Sequence, residues 1–401
     1  MVLLTGNSSF LRVDMSYQAV AGLLHTLAMP IAIVIAKKAL GAGDMEVAVL
    51  QSAMMIGLVL SLFYSNWTQN TSLTWAFALP RMAGALALFS LIFFQNLGPW
   101  GFTGLVAAAS ILMSVSTPLL SMLYESTYPA KTRGKLVGAS RWFYLLGAAL
   151  TSLGVGEYLE LYPNHYPYIY FLSAVIGVFV ITPFLRLPPM TRQKFHHIGL
   201  IQGFGMVVKD VNFSIFMLFQ FILGVANLCG LFAFYLYVTN DEYMGLDLST
   251  SAWIIGAIPP IAMLMTIRLW GRLFDKISIV SYRSLTNVVM ASGFLTFFFI
   301  NEFWGLVVGS FVWGVGRAGG QLAWTIGILE FAGGHLSAVY LRVHTFLTGI
   351  RGIFAPFLGS WLLAAGMTPK AIFAGAAFWI LASAVLTLKF VKAPQPVGAH
   401  G

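Results

Sequence analysis

Charge is scarce in this sequence. Only 9% of its 401 residues are Asp, Glu, Lys or Arg, while 59% are hydrophobic. That ratio excludes a soluble globular domain for most of the chain. Cysteine is scarcer still: the single Cys229 excludes an intrachain disulfide and any cysteine metal cluster. No Asp-rich metal motif, H-E-x-x-H, G-x-S-x-G or phosphate-binding loop occurs, so the chain offers no enzyme centre and implies no cofactor or metal. His196-His197 is a lone pair in a basic loop and reads as solvated. Acidic residues are confined to the ends of apolar runs and the loops between them, which accounts for all 13 Asp and Glu. No cleavable signal is expected, because Arg12 and Asp14 lead straight into a full-length apolar run.

What is present is a series of such runs, each near the roughly 20 residues that one bilayer crossing needs. Twelve can be traced, at about 14–36, 46–64, 74–95, 101–124, 140–160, 166–186, 213–238, 249–268, 283–301, 304–329, 344–366 and 369–390. The chain therefore reads as an all-α polytopic membrane protein with twelve transmembrane helices, embedded in a lipid bilayer. With both termini inside, the cytoplasmic side collects Arg12, Arg81, Lys131, Arg133, Lys135, Arg141, Arg186, Arg192, Lys194, Lys209, Arg268, Arg272, Lys276, Arg283, Arg342, Lys389 and Lys392. Only Lys37, Lys38 and Lys370 fall outside, a bias that follows the positive-inside rule. The net charge of +9 is thus topological. Its scatter over short loops gives no surface for nucleic acid.

The chain divides near its middle. Residues 188–212 form the longest polar connection and separate six runs (1–187) from six (213–401). Sliding the halves by 205 residues superposes Gly104 on Gly309, Glu125 on Glu330, Gly147 on Gly352, Leu153 on Leu358 and Gly154 on Gly359. A Glu at the inner end of both the fourth and tenth runs, with matching loop sides, supports two six-helix pseudo-repeat halves. Parallel repeats of this kind are a transporter architecture.

Two cations interrupt the apolar runs. Arg317 lies midway along one run and Arg351 a few residues into the next. A guanidinium in hydrocarbon costs at least about 2.5 kcal/mol, so it faces a wet cavity or a partner. With no carboxylate beside them in sequence, the expected partner is an anionic ligand. Arg317, Gln321 and Trp324 are spaced i, i+4, i+7 and share a helix face. The alternative for Arg317 is bonding to carbonyls of a broken neighbouring helix; for Arg351 it is snorkelling to the cytoplasm. His25, on one face with Gln18, is either a packing histidine or a pore residue. Asn227 and Gln220 share a face of the seventh run, which interhelical hydrogen bonding would also explain.

The inner loop between the eighth and ninth runs reads Gly271-Arg272-Leu273-Phe274-Asp275-Lys276. It resembles the G-x-L-x-D-[RK] signature of the major facilitator superfamily, and the basic loop TYPAKTRGKLVGASR after the fourth run is similar to that family's lead into a Gly-rich fifth helix. The resemblance implies a gate in which Asp275 docks near the start of the fifth helix beside Arg133 and Arg141, with Glu125 and Glu330 as gate or loop partners. The sequence departs from the family pattern in its first half. Asn66 and Asn70 stand where Gly271 and Asp275 align, and Leu112 stands where Arg317 aligns, so proton coupling is not carried over.

The function expected is a monomeric secondary transporter for a small, anionic organic solute, working by alternating access in a cell inner membrane. Its substrate residues are expected to be Arg317, Gln321, Trp324, Arg351, His25 and Asn227. The alternatives are a transporter-like sensor or scaffold, or an exporter of an amphipathic neutral compound. A lipid-modifying membrane enzyme would need buried carboxylates or metal ligands.

Overall fold

A computed structural model describes residues 2–94, 97–129, 132–187, 200–325, 327–331 and 337–394. Lys131, Arg192, Lys194, His196 and His197 lie outside the described residues. Among those residues the regular structure is entirely helical. The first helices are α1 (Val2–Ala28), α2 (Pro30–Lys38), α3 (Asp44–Trp67), α4 (Leu73–Phe89), α5 (Pro99–Val115), α6 (Thr117–Thr127), α7 (Arg133–Leu161) and α8 (Tyr166–Leu185). They are followed by α9 (Leu200–Lys209), α10 (Val211–Thr239), α11 (Leu248–Ala252), α12 (Ile258–Phe274), α13 (Ile279–Phe299), α14 (Phe303–Thr325), α15 (Ser337–Ala364) and α16 (Pro369–Phe390).

Several runs read as one crossing are broken by proline. Pro30 lacks an N–H and forces Met29 out of helical geometry (φ −140°), separating α1 from α2. Between α5 and α6 the chain turns at Ser116 (φ −97°, ψ 8°), with Pro118 in the first turn of α6. Taking such pairs together, ten helical segments are long and apolar enough to cross a membrane. The ninth and tenth runs form α13 and α14, which have the length but carry more polar residues. The connection at 188–212 is not wholly irregular, since it contains α9. There Gly203 seats against Val339, and Phe204 packs edge-on against Phe346 of α15.

The chain forms two compact units, one of Met1–Lys194 with Val238–Pro260 and one of Phe195–Tyr237 with Ile261–Gly401. In the first, α1 and α7 cross where Gly22 meets the Tyr144 carbonyl and Gly147 meets the Ala19 carbonyl. A Cβ at either glycine would overlap backbone, and small residues allow this approach where no hydrophobic effect draws helices together. Phe10, Tyr17, Phe77, Tyr128 and Phe184 fill the space beside α1 with edge-to-face contacts. Segment 238–260 packs on α7, with Ala252 against Gly156 and the Ser249 N–H donating to Glu160 (3.0 Å). Lys38 of α2 also donates to Asp241 at 2.7 Å.

In the second unit α13 is clasped by α14 and α16. Gly293 admits Trp313, Gly316 admits Met290, and the Ser284 hydroxyl donates to the Ala384 carbonyl at 3.1 Å. The outside of both units is apolar: Trp67 is 85% exposed, Phe179 79%, Trp361 64% and Phe378 62%. Large aromatics shown so freely suit hydrocarbon, not water.

Candidate functional site

The sequence-predicted residues of the second unit fall into two groups joined by α14. The first is built on Arg317. Its guanidinium lies 5.0 Å above the Trp313 ring, one turn earlier on α14. Trp313 is fixed in turn by its indole N–H, which donates to Asn227 Oδ1 of α10 at 2.9 Å. Arg317 is half-buried and makes no hydrogen bond or ion pair among the described residues. The structure thus brings Arg317 and Asn227 together through an aromatic platform that the sequence reading passed over.

The second group surrounds Arg351, whose burial speaks against the snorkelling alternative. Arg351 sits midway along α15, 7% exposed, and its guanidinium donates to the Gln220 backbone carbonyl of α10. Arg283, first residue of the ninth run and counted on the cytoplasmic side from the sequence, is buried as well. It occupies the second turn of α13, is 8% exposed, and donates from Nε to Gln220 Oε1 (2.5 Å) and from Nη1 to the Gly320 carbonyl (3.2 Å). The two guanidiniums are therefore anchored on one residue, Gln220. Gly224, one turn on, is the floor against which Arg351 lies; any Cβ there would overlap the guanidinium. His344 and Thr348 share a face of α15 with Arg351. The Trp324 indole donates to Thr348 (3.4 Å) while its ring packs 5.5 Å from that of His344. The expected common face of Arg317, Gln321 and Trp324 is thus divided: Trp324 serves the Arg351 group, and Gln321 is half-buried between.

In the first unit two further charged residues are buried. Arg81, which the sequence puts in the third run and counts on the cytoplasmic side, is buried in α4. It donates to the Met113 carbonyl and to Thr117 (3.4 Å) across the α5–α6 break, with its charge 4.4 Å over the Phe77 ring. Asp14, expected at a span end, lies in the second turn of the first candidate crossing (Phe10–Lys38) and is fully buried. It accepts from Tyr124 (3.0 Å), Tyr128 (2.8 Å) and Ser140 (2.5 Å), and Gln18 donates to Tyr124 (2.6 Å). A carboxylate is therefore buried near the end of an apolar run. Three hydroxyl donors stabilise it where a lone charge would be prohibitive. The available signal was the spacing of Asp14, Gln18 and His25 on one face of α1. His25 itself is half-buried with its ring 5.8 Å from that of Tyr144.

The gate candidates are mostly at the surface. Arg272, Asp275 and Lys276 are exposed and Gly271 half-buried. Asp275 makes no ion pair among the described residues. Glu125 and Glu330 are exposed as well. Arg133 donates to the Glu125 carbonyl (3.1 Å), and Arg141 lies 4.3 Å over the Tyr144 ring. A separate cavity of about 510 Å³ is lined by Phe221, Val225, Cys229, Leu358, Ala376 and Trp379 among others, none of them charged. It offers nothing to recognise a polar solute.

Apolar helices in this number make the chain a multi-pass membrane protein. A family model described as Major Facilitator Superfamily matches residues 15–350, and the chain belongs to that family. The nucleoside transporter NupG, as a point mutant, is similar in structure with a TM-score of 0.73 at 14% identity, covering 95% of this chain and 100% of its own. The inward-open xylose transporter XylE from E. coli aligns with a TM-score of 0.70 at 12% identity over 98% of each chain. A POT family transporter in complex with a thioalcohol-conjugated peptide gives 0.71 at 12%, over 95% and 96%. No curated protein matches the sequence. At these identities the solved structures establish the fold alone.

Proposed function

We propose that the chain is a secondary transporter for a small organic anion, cycling by alternating access as residues 1–187 rock against 213–401 around a midplane site. The observation that carries this reading is Arg317: half-buried, seated on Trp313, and without a carboxylate or carbonyl partner among the described residues. A cation so placed in an apolar helix is complementary to an incoming carboxylate or phosphate, and its planar fork can hold either with two parallel hydrogen bonds. Trp313 and Asn227 fix its direction, while Gln321 adds a polar side chain on the same helix. The similar structures are named for nucleosides, xylose and peptides, solutes of the size class proposed here.

The loop from Gly271 to Lys276 is assigned to the cytoplasmic gate, with Glu125, Arg133, Arg141 and Glu330. The transporter works as a monomer in a bacterial inner membrane with both termini in the cytoplasm, the orientation that the basic residues favour. A solute gradient or exchange drives it. Solute binding to purified protein, read as a rise in thermal stability, tests the assignment against anionic, neutral and cationic metabolites. Arg317→Lys keeps the charge but loses the bidentate geometry, so it should bind at least tenfold more weakly, and Arg317→Gln should not bind. Parent-like binding by either variant would make Arg317 structural and remove the basis for an anionic substrate.

A further inference from the structure

We propose that Arg283, Arg351, Gln220 and His344 form a second binding site, for a small anion, distinct from the Arg317 group. Two buried guanidiniums meet at one neutral residue, and no carboxylate comes within ion-pair distance of either among the described residues. Both cations sit on carbonyl oxygens, which orient them without neutralising them. Around them are polar atoms that are buried and unpaired: Arg351 Nε, Gln220 Nε2 and both ring nitrogens of His344. Arg351 Nε and Gln220 Nε2 are donors, and His344 in either tautomer adds another. The set therefore asks for an acceptor with several lone pairs and negative charge.

The local architecture keeps these groups in place. Gly224 and Gly320 hold no side chain where the guanidiniums lie. Gln220 is 2% exposed and His344 3%, so neither can turn to water for a partner. Trp324 closes the His344 side and is itself tied to Thr348. The chemistry fits a halide, a phosphate, or the carboxylate end of an organic solute. It does not fit a neutral sugar-like molecule, which would leave both charges unmatched. Arg351 is thereby reassigned from the Arg317 site to this one.

The test uses the full chain in lipid nanodiscs, exchanging sodium gluconate for chloride, phosphate or acetate at constant ionic strength. Thermal unfolding and equilibrium binding of radiolabelled chloride, phosphate and acetate are followed. At least one small anion should bind saturably and raise the melting temperature. Chloride or phosphate would identify a free inorganic ion; acetate alone would identify a small carboxylate held apart from the transported solute at Arg317. The effect should survive Arg317→Gln and be lost in Arg351→Gln. Should Arg351→Gln not fold, Gln220→Glu decides. A carboxylate placed between the guanidiniums should abolish the anion dependence while leaving the protein at least as stable as the parent in gluconate. If no anion binds the parent, or if the dependence follows Arg317 in place of Arg351 and Gln220, the second site does not exist.

Discussion

The seating of Arg351 on bare backbone can be tested by giving Gly224 a methyl group. In Gly224→Ala the new Cβ falls within the guanidinium, and the backbone around it is the helix that also supplies the Gln220 carbonyl. Either α10 and α15 move apart or Arg351 leaves its carbonyl. Overpacking a filled core costs about 1–3 kcal/mol, and losing a hydrogen bond from a charged donor costs roughly 1.5–3 kcal/mol more. Gly224→Ala should therefore destabilise the protein by about 3–5 kcal/mol, a large effect for one methyl group. The double mutant Gly224→Ala, Arg351→Ala separates this from any general intolerance of alanine. Once the guanidinium is gone the methyl group has room, so the two costs should fall short of additivity by at least ~2 kcal/mol. Reversible unfolding in mixed micelles would measure all four corners of the cycle. Additive costs, or a neutral Gly224→Ala, would refute the contact between Arg351 and the Gly224 backbone.

Three further outcomes are expected. Asp14→Leu strands the hydroxyls of Tyr124, Tyr128 and Ser140, each worth about 1–3 kcal/mol when orphaned, whereas Asp14→Asn still accepts; the leucine variant should be clearly the less stable in the same assay, and equal stability would contradict the network. Lys38 holds the Asp241 carboxyl below its usual range through their hydrogen bond, so this tie is complete above the ordinary carboxylate value of about 3.9 and is lost as pH falls through the lowered one. Carbon NMR of the Asp241 carboxyl should show its titration midpoint rise in Lys38→Gln, and an unmoved midpoint would exclude the tie in solution. Asp275→Asn should shift spin-label distances between the cytoplasmic ends of the helices, and unchanged distributions would remove Asp275 from the gate.

Most of the fold was legible because bilayer thickness is a strict ruler. An apolar run of the right length has few alternatives to a helix. The family resemblance, too, was carried by a loop motif readable as it stood, and the match over residues 15–350 bears it out. The polar interior was harder. Arg81 and Arg283 were counted only for their side of the membrane; their burial follows from how α4 and α13 are rotated against their neighbours, which one sequence does not encode locally. Asp14 was hidden the same way, since its hydroxyl partners lie more than a hundred residues away in sequence. Gln220 was visible as a polar residue on α10, but its role as the shared anchor of two arginines depends on three other helices.

The lone cysteine has a practical consequence. Cys229 is 5% exposed and its thiol donates to the Ala355 carbonyl at 3.0 Å, so water-soluble maleimides and methanethiosulfonates should pass it by. The natural chain then behaves as its own cysteine-free background. Pairs of cysteines introduced at the surface would be labelled selectively, and every probe of motion could be built on the unaltered core.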